Sequence, residues 1–105
     1  MGGKYIIAHD VGTRGGKAVL TYPEGRVFGS AFEGYQVQYP QPLWAAQEPD
    51  NWWRAVTRTT QRLLTECSVA PEDVLCMIFS TQMLGIIPMG AEGTPLRPGI
   101  IWLDG

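Results

Sequence analysis

The chain has 105 residues, 45% of them apolar and 17% charged, with a net charge of −2. That balance belongs to a soluble globular domain, and the scattered Lys and Arg form no concentrated basic face, which argues against nucleic acid as a partner. No apolar stretch is long enough to span a bilayer, and Met1-Gly2-Gly3-Lys4 lacks a signal peptide's apolar core, so a cytoplasmic protein without membrane contact is expected.

One compact unit is the most this length holds, and a two-lobed enzyme would need more chain. Gly2 follows Met1, but Ile6 stands where a myristoylation signal wants Ser or Thr. Cys67 and Cys76 are the only cysteines and carry no partner motif, so buried free thiols are expected rather than a zinc site or a disulfide framework.

Tyr5-Ile6-Ile7-Ala8 predicts a buried strand running into His9-Asp10 and a glycine-punctuated turn. Lys17 to Tyr22 predicts a second strand, Pro23-Glu24-Gly25 a turn, and Arg26 to Phe32 a third strand, which together make an antiparallel meander. Residues 34 to 47, with Pro40 and Pro42, predict an extended surface connection.

Pro49 suits the first position of a helix, with Asp50 in its first turn. Trp53, Val56, Thr60, Leu63 and Leu64 recur at helical spacing to about Glu66, and Trp52 and Trp53 are expected to anchor this helix on the sheet. Val74 to Phe79 is wholly apolar and predicts a central strand covered on both faces, with a polar exit at Ser80-Thr81-Gln82. Ile86 to Met89 and Ile100 to Leu103 predict a hairpin-like pair.

The segment Asp10-Val11-Gly12-Thr13-Arg14-Gly15-Gly16-Lys17 has the residue types of a phosphate site. Glycines permit positive torsions and let main-chain N–H groups approach an anion, and Thr13 adds a hydroxyl. Asp10 could hold a magnesium ion through water, and Arg14 or Lys17 could offset phosphate charge. The same spacing also fits a plain hairpin turn in which Asp10 bonds its own loop. It is neither a Walker loop nor a dinucleotide fingerprint. His9 admits a catalytic reading beside Asp10, and a structural one as a strand histidine held by a hydrogen bond.

Three further segments follow in order: Leu43 to Trp53, Ser80-Thr81-Gln82-Met83-Leu84-Gly85, and Leu96-Arg97-Pro98-Gly99-Ile100-Ile101-Trp102-Leu103-Asp104. With the Asp-x-Gly-Thr turn they resemble the landmarks of the FGGY carbohydrate kinases, nearest to the xylulokinases: Trp-x-Glu-Gln-Asp-Pro-x-x-Trp-Trp, Ser-Gly-Gln-Met-His-Gly and Leu-Arg-Pro-Ala-Ile-Leu-Trp-x-Asp-x-Arg. The resemblance covers nearly the whole chain.

It implies an α/β fold of the actin-like ATPase, ribonuclease H-like type. Residues 1–105 would form the amino-terminal part of the first domain, with a mixed sheet that starts in the three-strand meander, and the second, nucleotide-binding domain would lie in other chain. It also implies ATP-dependent phosphorylation of a sugar hydroxyl, with Mg2+, by the full-length protein. Asp10, Gly12, Thr13, Arg14, Gly15 and Lys17 would face the phosphates and magnesium, and Gln82, Met83, Leu84, Trp102 and Asp104 the sugar. The resemblance also implies that no catalytic residue falls in these 105 positions, so the chain alone is expected to be inactive. A homodimer is left open for the full-length protein.

Met83, Leu84 and Trp102 have a plain reading as core filler, and Asp104 as a turn cap. Leu84 stands where xylulokinases carry His and cannot hydrogen-bond a hydroxyl, which leaves ketopentoses such as xylulose, ketohexoses, ribulose and glycerol-like polyols open. Two rivals are a non-catalytic binding or regulatory module and half of an actin-like ATPase. The Trp-Trp and Ile-Ile-Trp landmarks favour the sugar kinases over the latter.

Overall fold

The computed structural model describes residues 4–83 and 85–103, so Leu84 and Asp104, both expected at the sugar, lie outside the described residues. Strands β1 (Tyr5–Val11), β2 (Gly15–Thr21) and β3 (Val27–Gly34) form the antiparallel meander. A two-residue strand β4 (Ala46–Gln47), helix α1 (Pro49–Glu66), a 3-10 turn at Pro71–Asp73, strand β5 (Val74–Thr81) and a two-residue strand β6 (Gly99–Ile100) follow. β5 lies parallel to β1, giving a four-stranded mixed sheet in the order β3-β2-β1-β5, while β4 and β6 pair antiparallel beside it.

The helix starts where proline's fixed torsion is cheapest, with Pro49 in the first turn and acidic Asp50 beside it. Ala55, Val56, Thr59 and Leu63 form its buried stripe. It ends through Ser68, whose φ of 54° reverses the chain so that Val69 N–H reaches the Leu64 carbonyl. The stripe packs on Ile7, Ala18, Leu20 and Ala31. Burial of Leu20 and Leu63 stabilises the fold by about 1.5–3 kcal/mol each.

Small residues set the distance between helix and sheet. A Cβ added at Gly16 would stand 2.9 Å from the Ala55 Cβ, and one at Gly29 would stand 2.6 Å from the Cys67 sulfur. At the far side Glu33 of β3 receives Arg58 at 2.8 Å and Arg62 at 3.4 Å from α1.

Several expectations change. β5 is not a central strand covered on both faces: it is the edge of the sheet, and Leu75, Met77, Ile78 and Phe79 are all exposed. Its apolar sequence records a demand for cover that the described residues do not meet. Trp53 does not anchor the helix; it is 69% exposed, because the buried stripe runs one residue round, through Ala55 and Thr59. Cys76 is exposed rather than buried, and both thiols are free. The expected hairpin near the end is reduced to a bridge between Ile86 and Ile100, and the strand stops at Ile100.

Candidate functional site

Because β1 and β5 run parallel with Val11 opposite Thr81, their carboxyl ends finish side by side. The Gln82 N–H donates to the Val11 carbonyl at 2.9 Å and fastens the turn after β5 to the turn after β1. Ligands gather at such carboxyl ends in α/β sheets, because the connecting segments there are free to shape a site.

The turn after β1 is closed by Gly12 N–H donating to the Gly15 carbonyl at 3.0 Å. Three successive carbonyls are held by the protein. Gly12 O accepts the Tyr35 hydroxyl and, at 3.4 Å, Gln82 Nε2. Thr13 O accepts Gln47 Nε2 at 2.6 Å, and Arg14 O accepts the Tyr35 N–H at 3.1 Å. In a planar trans peptide the N–H points opposite to the preceding C=O. Drawing these carbonyls inward therefore turns the N–H groups of Thr13, Arg14 and Gly15 the other way, an arrangement suited to an anion.

The glycines earn their place differently from the sequence expectation. Positive φ among the described glycines occurs at Gly25 and Gly93, in surface turns, and not at Gly12, Gly15 or Gly16. Gly15 is required by packing instead: a Cβ there would fall 2.6 Å from the Glu33 carbonyl and 2.5 Å from the Phe32 ring.

Asp10, Gly12, Thr13, Thr81, Gln82, Met83 and Trp102 line one open hollow of about 490 Å³. The structure thus brings together most of the expected phosphate and sugar residues. Trp102 is half-exposed, and its Nε1–H donates to the Thr13 hydroxyl at 2.8 Å, leaving that hydroxyl's own hydrogen available. Arg14 and Lys17 do not line the hollow. Arg14 is exposed at the tip of the turn, and Lys17 is exposed on β2 opposite Asp10.

His9 is set apart from this chemistry. Strand alternation buries it on the α1 side, where its ring stacks on Phe79 at 5.1 Å and meets Thr60 Oγ1 at 3.1 Å. Thr60 donates its hydroxyl hydrogen to Val56 O, so the network assigns the proton to His9 Nε2 as donor. Burial holds the imidazole below its ordinary value. The structural reading of His9 stands.

Sequence reasoning missed two residues. Tyr35 lies in the connection after β3 and clamps the turn from below. Burial, with the nearby Asp10 charge adding to it, pushes its phenol up to about 12, so the hydroxyl stays protonated and donates. Gln47 is fully buried, donating to Thr13 O and accepting from Trp52 Nε1 at 2.9 Å and Gln82 Nε2 at 2.8 Å. A glutamine directly after two alanines, in the Leu43 to Trp53 segment, was the available signal for it, since a polar residue must be paired once buried.

The fold matches a xylulose kinase from Lactobacillus acidophilus with a TM-score of 0.87 at 28% identity, over 95% of this chain and 20% of that one. It matches a gluconate kinase from the same organism with a TM-score of 0.86, again at 28% identity over 95% of this chain and 20% of that one. This is an α/β lobe of the actin-like, ribonuclease H-like type. The chain belongs to the FGGY family of carbohydrate kinases, whose N-terminal domain matches residues 5–105. It is 36% identical over 99 residues to a xylulose kinase of Escherichia coli K12, covering 94% of this chain and 20% of that protein. It is also 26% identical over 103 residues to a glycerol kinase of Alteromonas mediterranea, covering 97% of this chain and 21% of that protein. The chain thus spans about a fifth of the length of the curated relatives it matches.

Proposed function

We propose that the protein carrying this chain transfers the terminal phosphoryl group of ATP to a hydroxyl of a small sugar or polyol, with a ketopentose such as xylulose the first choice. These residues form the amino-terminal part of its first domain and supply one phosphate-binding turn and part of the sugar site. The observation that carries the reading is the anchoring of the Gly12, Thr13 and Arg14 carbonyls by Tyr35, Gln47 and Gln82, in a turn whose Gly12 and Thr13 line a hollow walled by Trp102 and Met83. Outward amides and the Thr13 hydroxyl would hold phosphate oxygens, and the indole face would rest against the C–H surface of a sugar.

Asp10 is the acidic side chain among the described residues that line the hollow. No group of three or more acidic, His or Cys side chains suited to a metal occurs among the described residues, so a cation here would share Asp10 with phosphate oxygens and water. That donor set fits magnesium, which keeps several waters and is commonly bound by one carboxylate plus substrate phosphates. When bound, magnesium would neutralise charge on the transferring phosphate. A base for the sugar hydroxyl is proposed to come from chain outside these residues.

Kinases named for xylulose, gluconate and glycerol all stand among the similar proteins, and Leu84 replaces a hydrogen-bonding residue of the xylulokinase motif. The sugar is therefore best found by a panel. Coupled ADP release would be followed with ATP and magnesium on ketopentoses, ketohexoses and glycerol, for the complete protein and for residues 1–105 alone. Turnover on one sugar by the complete protein only is the expected result. Silence from the complete protein on every sugar would overturn the kinase reading in favour of a non-catalytic binding module.

A further inference from the structure

We propose that Gln47 is the positioning residue that locks the phosphate turn to the substrate turn, so that loosening it loosens both ligand sites together. The inference rests on the kinase reading for what the two turns bind, and on geometry alone for the lock. Gln47 touches three elements at once: the turn after β1 through Thr13 O, helix α1 through Trp52, and the turn after β5 through Gln82.

The polarity of this chain of bonds is forced. A carbonyl only accepts and an indole N–H only donates, so Gln47 must present its NH₂ to Thr13 and its oxygen to Trp52. That oxygen then fixes Gln82, which must offer its own NH₂ to Gln47 Oε1 and Gly12 O. Turning the Gln82 amide over would set its oxygen against two acceptors. The arrangement holds although it strands Gln82 Oε1, which is buried without a partner among the described residues. A stranded buried acceptor is destabilising, and the two bonds of the Gln82 NH₂ to Gln47 Oε1 and Gly12 O offset that cost. No hydrogen bond of Gln47 is exposed for a ligand, since the side chain is fully buried; its action is through Thr13 and Gln82.

Two variants of the complete protein separate the arms of the lock. Gln47→Met keeps the length and removes every bond. Gln47→Glu keeps the acceptor for Trp52 and Gln82 but removes the donor to Thr13. Amide hydrogen exchange reports on Gly12 N–H and Gln82 N–H, both of which are hydrogen-bonded in the parent. Gln47→Met is expected to speed exchange at both turns, and Gln47→Glu at the phosphate turn only, with β3 and the second half of α1 unchanged in each. Kinetically, the KM for ATP should rise about tenfold in both variants and the KM for the sugar only in Gln47→Met, the scale expected of a lost hydrogen bond.

Unchanged exchange at both turns would overturn the lock. So would a uniform rise across the sheet with lower active fraction and unaltered KM values, because that is what a purely structural glutamine gives. If the parent protein turns over no sugar, the kinase reading falls, and the exchange experiment still decides for or against the lock.

Discussion

The Tyr35 hydroxyl donates to the Gly12 carbonyl, joining the connection after β3 to the turn after β1. The same residue's backbone N–H donates to Arg14 O, so one tyrosine grips the turn at both ends. Tyr35→Phe removes the first grip and leaves Gly12 O with the long Gln82 contact at 3.4 Å. The expected loss is about 1 kcal/mol in stability, as for a typical intramolecular hydrogen bond. In the complete protein the KM for ATP should rise more than the KM for the sugar. A denaturant midpoint and the two KM values check this, and an unchanged ratio of KM values would contradict it.

His9 makes stability depend on pH with a definite sign. Burial holds its imidazole below the ordinary value of 6.5, so the fold favours the neutral ring and the unfolded chain takes up the proton first. Its contribution is complete above 6.5 and is lost as pH falls from 6.5 through the folded-state value. His9→Leu should flatten that part of the curve while losing the bond to Thr60 at all pH values. Unfolding midpoints in a pH series for both proteins give the comparison, and parallel curves would contradict the assignment.

Gly16→Ala tests the spacing of helix and sheet. The added methyl would lie 2.9 Å from the Ala55 Cβ, and overpacking of this kind costs about 1–3 kcal/mol. Ala55→Gly should recover part of the loss even though glycine in a helix itself costs about 1 kcal/mol. A double-mutant cycle on denaturant midpoints should show that coupling, and strict additivity would mean the two positions do not meet.

The edge strand predicts behaviour of residues 1–105 by themselves. Leu75, Ile78 and Phe79 are 58%, 55% and 54% exposed on a strand with no neighbour on its outer side among the described residues. Such an edge recruits another strand or apolar surface. Sedimentation of the isolated chain should show association that grows with concentration, and Ile78→Lys should reduce it. A strictly monomeric isolated chain at high concentration would count against the prediction.

Much of this architecture could be read from residue order because the signals were local. Pro49 followed by apolar residues at helical spacing marks α1 to its last residue, and turn chemistry at Pro23-Glu24-Gly25 marks the meander. The misreadings share a cause. Val74 to Phe79 says that both faces of β5 want cover, but not whether a neighbouring strand lies beyond it, since that depends on contacts distant in sequence. Trp53 looked like an anchor because size outweighed register, whereas Ala55 and Thr59 set the buried stripe. Of the residues that line the hollow, Asp10, Gly12, Thr13, Gln82, Met83 and Trp102 stand in the motifs of the sequence. Tyr35 and Gln47 were not legible, because both act through carbonyls whose positions exist only once the chain is folded.

His9 and Asp10 are neighbours in sequence that strand alternation sends to opposite faces, one beneath α1 and one into the open. A slip of β1 by a single residue would exchange them, bringing the carboxylate against the Phe79 ring beneath α1 and leaving the imidazole outside. An unpaired carboxylate in such surroundings costs several kcal/mol or forces a proton onto itself. The adjacent pair therefore acts as a proofreading device for strand alignment, rejecting the pairing in which the carboxylate would miss the hollow.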